Sequence, residues 1–256
     1  MDILKRIYAF YAFATFAVSF LLHFPLFCIP IAFPSLHHLV GVFSRTCSRL
    51  AFMAWLIPVR IRYKAKLDPS ARYIFCSNHF SYLDIPSMAL NPHNTIFVGK
   101  HSMESIPLFG FMYKKLHITV DRSRLASKYD TYVRSTEALK AGKSLIIFPE
   151  GGIVSKNFPV MAKFKSGPFR LAVEQQVPIV PVTLPDNWLA FQEDPMRLSW
   201  KPLELIIHEP VMPDGTGPEA VTKLQEQVYH IIQQELDLTY EHRNTNTGKI
   251  SPSLSA

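Results

Sequence analysis

A histidine and an aspartate five positions apart, His79 and Asp84, close a hydrophobic run in the segment Tyr73-Ile-Phe-Cys-Ser-Asn-His-Phe-Ser-Tyr-Leu-Asp84. On one continuous helix, side chains five apart diverge by ~140°, and on a strand they point to opposite faces. They meet only across a turn. A strand running into a helix supplies that turn and puts both groups at the carboxyl end of a sheet, where α/β proteins bind ligands. Alone, such a pair is a weak motif. The plainer reading is a helix-capping Asp84 ahead of Pro86 and an exposed loop histidine.

A second group of chemical interest is Ile146-Ile-Phe-Pro-Glu150-Gly-Gly, a strand-like run that ends in a carboxylate and two glycines. Gly151 and Gly152 permit close backbone approach to a ligand, and Glu150 is suited to hold a hydroxyl or to orient the loop. Alone, this segment reads equally as a surface turn with a solvated glutamate. Cys76 and Ser81 flank His79 and offer a covalent alternative, a thioesterase or lipase. Against it, Cys76 reads as a buried strand residue and no G-x-S-x-G elbow surrounds Ser81.

Positioning these groups requires an α/β framework, and the chain alternates accordingly. Strands are predicted at Arg72 to Ser77, Thr95 to Gly99, Ile118 to Asp121, Ser144 to Phe148, Pro178 to Leu184 and Leu203 to His208. Tyr129, Val133, Thr136 and Leu139 recur at helical spacing, with Ser127 as N-cap and Gly142 past the end. A second helix is predicted from Pro218 to Leu236 on the face Val221, Leu224, Val228, Ile231 and Ile232. The expected fold is a mixed, mostly parallel sheet flanked by helices, over residues 59–242. The tail, 243–256, is polar and aperiodic and is expected to be disordered.

Residues 1–58 form a different kind of segment. From Ile7 to Ser44 there is no Asp, Glu, Lys or Arg, and Pro25, Pro30 and Pro34 are expected to interrupt the apolar run. A bilayer span needs ~20 apolar residues, so this stretch is long enough to enter a membrane. Lys5 and Arg6 precede it, while Arg45, Arg49, Arg60, Arg62, Lys64 and Lys66 follow it. Basic residues on both flanks place both ends on the cytoplasmic side and favour a re-entrant or interfacial helix pair, a monotopic anchor, over a single span.

Across the chain, 27 Lys and Arg outnumber 20 Asp and Glu for a net charge of +7, which points to an anionic partner. The basic residues are scattered and no recognition motif accompanies them, so a nucleic-acid partner is disfavoured. Cys28, Cys47 and Cys76 are odd in number and lack C-x-x-C spacing, which predicts neither a disulfide framework nor a zinc site.

Taken together, these segments resemble the glycerolipid acyltransferase family of the PlsC type. Asn78-His79 with Asp84 is similar to the family's N-H-x-x-x-x-D block. Lys100 through Pro107, Gly110 and Val120-Asp121-Arg122 form a second block, and Phe148-Pro149-Glu150-Gly151 a third. Val177-Pro178-Ile179-Val180-Pro181-Val182, preceded by Phe164-Lys165-Ser166-Gly167, forms a fourth. The resemblance covers roughly residues 60–210.

The resemblance implies acyl transfer from acyl-CoA or acyl carrier protein to the hydroxyl of a lysolipid, with 1-acylglycerol-3-phosphate the expected acceptor and a membrane lipid surface as partner. His79 and Asp84 would be catalytic, with Asp84 holding the imidazole in one tautomer and stabilising its protonated form so that His79 acts as general base. Asn78, Lys100, Arg122, Glu150, Gly151 and Gly152 would bind substrate. Neither metal nor cofactor is required, because a thioester is already an activated acyl group.

Two departures bear on specificity. The family commonly carries Thr-Arg after Glu-Gly, with the arginine on the acceptor's phosphate, whereas this chain has Gly152 and Ile153. His117 stands where a glycine often precedes the second block's strand. An acceptor without phosphate, such as an aminoacyl lysolipid, is therefore an open alternative, and so is a lipid-binding module that kept the fold without turnover.

Overall fold

The computed structural model describes residues 2–121 and 123–247. Two helices open the chain, α1 (Asp2–Ala32) and α2 (Leu39–Ala54). Then follow β1 (Val59–Tyr63), β2 (Ile74–Ser77), α3 (Asp84–Ala89), β3 (Thr95–Lys100), α4 (Phe109–Leu116), β4 (Ile118–Val120), α5 (Leu125–Lys140) and β5 (Ser144–Ile147). The second half contains α6 (Gly167–Gln175), β6 (Ile179–Thr183), α7 (Asn187–Ala190), a two-strand hairpin of β7 (Phe191–Gln192) and β8 (Arg197–Leu198), then β9 (Leu203–Ile207) and α8 (Gly217–Thr247).

Seven strands form one sheet in the order β1-β9-β6-β2-β5-β3-β4. Neighbours from β6 to β4 are parallel, β9 pairs antiparallel with β6, and β1 pairs parallel with β9. The sheet is mixed and mostly parallel, with helices on both faces. Strand alternation divides its core. Ile74 and Cys76 face a cluster with Leu139 of α5, Phe169 of α6 and Val228 and Ile232 of α8. Tyr73 and Phe75 face the opposite cluster, with Met88 of α3 and Tyr113 of α4.

All six predicted strands are present, five of them shortened by one or two residues and the one from Thr95 extended by one to Lys100. The sequence reading missed β1, because Arg60 and Arg62 read as a basic membrane flank. As an edge strand, β1 points Arg62 at Glu235 (2.6 Å) and Glu204 (3.4 Å) and so tolerates the charges. Ser127 is not the cap of α5. The helix starts at Leu125, and the Ser127 hydroxyl accepts the Asp121 N–H at 2.9 Å. Gly142 does lie just past α5, with φ of +78°.

Two boundaries need correction. The prolines do not break α1, which continues through Pro25 and Pro30 to Ala32; only Pro34 opens a new short turn. Each proline removes one N–H bond, a loss that neighbouring packing offsets, and Phe27 and Pro30 lie in the buried face against α2. The expected tail boundary at 243 is also displaced. Helix α8 runs on to Thr247 because Arg243 and Tyr240 make tertiary contacts described below, while the remainder, 248–256, lies outside the described residues.

At 31 residues, α1 is ~46 Å long at 1.5 Å per residue. It is the one helix among the described residues long and apolar enough to cross a membrane, with a mean hydropathy of 2.0 over its most apolar stretch. It pairs with α2: Trp55 donates its indole N–H to Ala12 O at 3.0 Å, and Tyr11 donates to Ala54 O at 2.9 Å. Ile3, Leu4, Ile7, Phe10, Phe13, Leu21 and Leu22 stay exposed along its outer side. Its inner side packs on α4 through Phe20, Met112 and Leu116.

Candidate active site

The sheet's register brings the candidate residues to one edge. Pro181, Cys76, Ile147, Val98 and Ile118 stand in one row across five strands. Three residues beyond that row on β2 comes His79, three beyond on β5 comes Glu150, and two beyond on β3 comes Lys100. The sequence blocks therefore converge because each ends its own strand at the same carboxyl edge.

The turn between β2 and α3 folds His79 back onto Asp84, with Nδ1 to Oδ2 at 2.9 Å. Asp84 is fully buried, at 0% exposure, and His79 is 8% exposed. The same Oδ2 accepts the backbone N–H groups of Phe80 (2.7 Å) and Ser81 (2.9 Å). A carboxylate accepts only, so His79 donates from Nδ1, and the neutral ring then has its lone pair on Nε2. Phe148 stacks on the imidazole with centroids 4.1 Å apart and planes 18° apart, which fixes the ring and dries one face.

Glu150 takes its place one strand away. It is 1% exposed, and its two oxygens accept the His79 N–H (2.7 Å) and the Ala162 N–H (2.8 Å). Burial pushes its carboxyl up to about 7, the two backbone donors and His79 pull it down, and the charge of Asp84 pushes it up. Glu150 thus serves the orienting role of the two that its sequence allowed. It braces the turn that carries His79 and anchors the loop that returns through Ala162. Gly151 (φ +88°) and Gly152 (φ +154°) follow in backbone conformations that disfavour any side chain.

Asn78 corrects the sequence reading. Its side chain is fully buried, donates to Leu184 O (3.0 Å) and accepts from Leu184 N (2.8 Å), so it fastens β2 to the end of β6 and is not exposed to substrate. Lys100 stands exposed at the end of β3, and Ile153 is half-buried after the glycines. Arg122 lies outside the described residues. Lys165 joins the edge, its backbone N–H bonded to Pro149 O at 2.8 Å and its side chain exposed.

The covalent alternatives find no geometry. Cys76 is fully buried within β2, and burial pushes its thiol far up, so no thiolate forms. Ser81 directs its hydroxyl to Phe191 O at 3.3 Å, away from His79. His117 is structural: buried and neutral, it accepts the Phe97 N–H on Nδ1 at 3.2 Å, and burial lowers it to about 3.

A family model described as "Acyltransferase" matches residues 58–185, half of the chain. The chain belongs to the acyltransferase family. Its relatives include a 1-acyl-sn-glycerol-3-phosphate acyltransferase of Cocos nucifera, 27% identical over 72% of this chain and 60% of that one. The protein of the same name from Limnanthes alba is 28% identical over 71% of this chain and 65% of that one. The chain therefore spans under two thirds of the length of these plant relatives. Among solved structures, the 1-acyl-sn-glycerophosphate acyltransferase PlsC of Thermotoga maritima superposes with a TM-score of 0.77, covering 93% of this chain and 97% of that one at 20% identity, a likeness of fold. The match to the acyltransferase family begins one residue before β1 and ends two residues past β6, so it takes in the edge on which His79, Asp84 and Glu150 meet.

Several groups at this edge were not legible in the sequence. Asn187 donates to the second oxygen of Asp84 at 2.8 Å from 103 residues away. Phe158 meets Phe80 edge-on (4.9 Å) and stacks on Trp188 (5.1 Å), joining the loop after Gly152 to the turn that carries His79. The one local signal available was the polar pair Asp186-Asn187 shortly after the apolar run of the fourth block.

Proposed function

We propose that the protein transfers a fatty acyl group from acyl-CoA or acyl carrier protein to the hydroxyl of a lysolipid, 1-acylglycerol-3-phosphate first among them, in phospholipid biosynthesis. The observation that carries this reading is the His79–Asp84 pair, joined at 2.9 Å through Nδ1 with the aspartate fully buried, at the carboxyl edge of the sheet. The names of the curated relatives support the acceptor.

In the reaction, His79 Nε2 takes the proton of the acceptor hydroxyl as that oxygen attacks the thioester carbonyl carbon. Asp84 stabilises the imidazolium that forms. The tetrahedral intermediate then collapses, the carbon–sulfur bond breaks, and the departing thiolate takes the proton back from Nε2. Base catalysis of this kind contributes typically ~10² to 10⁴ in rate, and the positioning of the two substrates contributes the remainder. The chain's own residues carry every proton step, so neither metal nor cofactor enters.

The acceptor phosphate falls to Lys100 at the end of β3, with Lys165 on the same edge, and to Arg122, which lies outside the described residues. Ile153 favours one second reading, an acceptor without phosphate, because an apolar side chain stands where relatives of the PlsC type place an arginine. The membrane is the surface on which both lipids arrive, and the exposed apolar side of α1 supports a monotopic or re-entrant anchor with both flanks on the cytoplasmic face. A panel of lysolipid acceptors with a labelled acyl thioester, assayed in detergent and read by mass analysis of the product, tests the assignment. Transfer to lysophosphatidic acid by the wild type but not by His79→Ala is the expected outcome. Label released only as free fatty acid would replace it with a thioesterase.

A further inference from the structure

Asp84 is held from two directions. Three donors reach its Oδ2, from His79, Phe80 and Ser81, and all three belong to the turn that Asp84 itself closes. They fix one oxygen relative to that turn. The other oxygen, Oδ1, accepts from Asn187 Nδ2 at 2.8 Å, and this donor comes from the far side of the site, on the segment that follows β6. Asn187 is fully buried and its amide also reaches Ser87 Oγ at 3.1 Å on α3. Only the NH₂ end of an amide is compatible with a carboxylate oxygen at that distance, so its orientation is dictated by the partner.

The segment that presents Asn187 is clamped in turn by the end of α8. Arg243 meets the neighbouring Asp186 with both guanidinium nitrogens, at 2.6 and 2.9 Å on separate oxygens. On the other side of Asn187, Trp188 donates its indole N–H to Tyr240 Oη at 2.9 Å, and the Tyr240 hydroxyl donates to Pro185 O. Three consecutive residues, Asp186, Asn187 and Trp188, are thus fastened outward to α8 at both flanks and inward to Asp84 at the centre. Bidentate and charge-assisted bonds of this type are the strong ones in proteins.

We propose that Asn187 is a positioning residue for the catalytic pair, setting the plane of the Asp84 carboxylate, and that the last turns of α8 hold Asn187 in place. This rests on the acyltransferase reading above. A carboxylate rotated about its Cβ–Cγ bond loses the line from Oδ2 to His79 Nδ1. The imidazolium formed during proton transfer then loses its counter-ion geometry. The effect belongs to the chemical step, since no atom of Asn187 is open to either substrate.

Removing one hydrogen bond to a charged group predicts a fall in kcat of about 10- to 100-fold for Asn187→Ala, with the KM values for thioester and lysolipid within about twofold of wild type. The discriminating measurement is the double variant. If Asn187 acts through Asp84, then Asn187→Ala in an Asp84→Asn background adds less than about a twofold further loss, because the charge it orients is already gone. Tyr240→Phe and Arg243→Lys test the clamp from outside the core and carry the decision if Asn187→Ala fails to fold. Each is expected to lower kcat about 2- to 10-fold at unchanged KM, the worth of a single neutral bond or of a lost guanidinium fork.

Retention of more than half of wild-type kcat by Asn187→Ala, a loss confined to KM, or a full additional loss in the Asp84→Asn background overturns the role. So does wild-type kcat in both clamp variants. Wild type and His79→Ala run beside them: transfer by the first and not the second keeps the acyltransferase reading standing whatever Asn187 does. Absence of transfer by the wild type to any acceptor sinks that reading, and the positioning role with it.

Discussion

Replacing Glu150 by glutamine changes one oxygen for an NH₂ group and nothing else in shape. In the protein both carboxylate oxygens face backbone donors, at 2.7 and 2.8 Å, so the amide can satisfy one and must set a donor against the other. A buried donor left unsatisfied costs about 1–3 kcal/mol. Against this stands the charge itself. Burial raises the carboxyl to about 7 from 4.5, so carrying the ionised form above pH 7 costs about 3 kcal/mol relative to the protonated one. The two terms oppose, and at pH 8 Glu150→Gln is expected to melt within a few degrees of wild type.

The pH dependence separates the terms. Between about 4.5 and 7 the folded protein holds a proton on Glu150 that the unfolded chain has released, so this group makes wild-type stability fall as pH rises through that window. Glutamine has no such slope. The stability of the variant relative to wild type should therefore climb from pH 4.5 to 7 and level off above it, measured by chemical denaturation in detergent at fixed ionic strength. Transfer at pH 8 should fall about tenfold or more, because the turn that aims His79 has lost one of its two anchors. A flat stability difference across the window, or full activity in the variant, would refute the reasoning.

His79→Ala should leave a folded protein with less than about a hundredth of wild-type kcat, and Asp84→Asn should lose activity by presenting the imidazole in the wrong tautomer; activity above a tenth in the first case removes His79 as base. His117, His208 and His37 are lowered to about 3, 4 and 4 by burial, so the unfolded chain takes up protons near 6.5 that the folded one refuses. Stability they contribute at neutral pH is lost as pH falls below about 6.5, and His117→Gln should shrink the drop between pH 7 and 5 in urea titrations. Lys100→Ala should raise the KM for lysophosphatidic acid about tenfold and spare a phosphate-free lysolipid; an equal effect on both acceptors would make Lys100 a framework residue.

The sequence disclosed the sheet well because its central strands are buried on both faces. Ile74 to Ser77 and Ile179 to Thr183 therefore read as unbroken apolar runs bounded by turn residues. What it concealed follows the same logic in reverse. Val59 to Tyr63 alternates with arginines because it is an edge strand, and in a basic stretch beside an apolar segment that alternation reads as a membrane flank. Helix α1 passes two prolines that by local rules should stop it. The cost is local, whereas the packing of Phe20, Phe27 and Trp55 between α1, α2 and α4 is not written in either helix alone.

The site divides along a similar line. His79 and Asp84 were legible because both lie on one turn, and five positions suffice to imply it. The rest of their orientation was not, because the groups that complete it come from other strands' ends: Phe148 and Glu150 from β5, Asn187 from beyond β6. Asn78 shows the converse error. Next to His79 in sequence, it faces the opposite way, onto Leu184, since successive residues leaving a strand alternate sides. Proximity in sequence thus identified the chemistry of the edge, and the register of five strands decides which neighbours take part in it. A blocked or shifted β5 would leave the motif intact and His79 unbraced, so Glu150 is where the architecture of the sheet passes directly into the geometry of the proposed base.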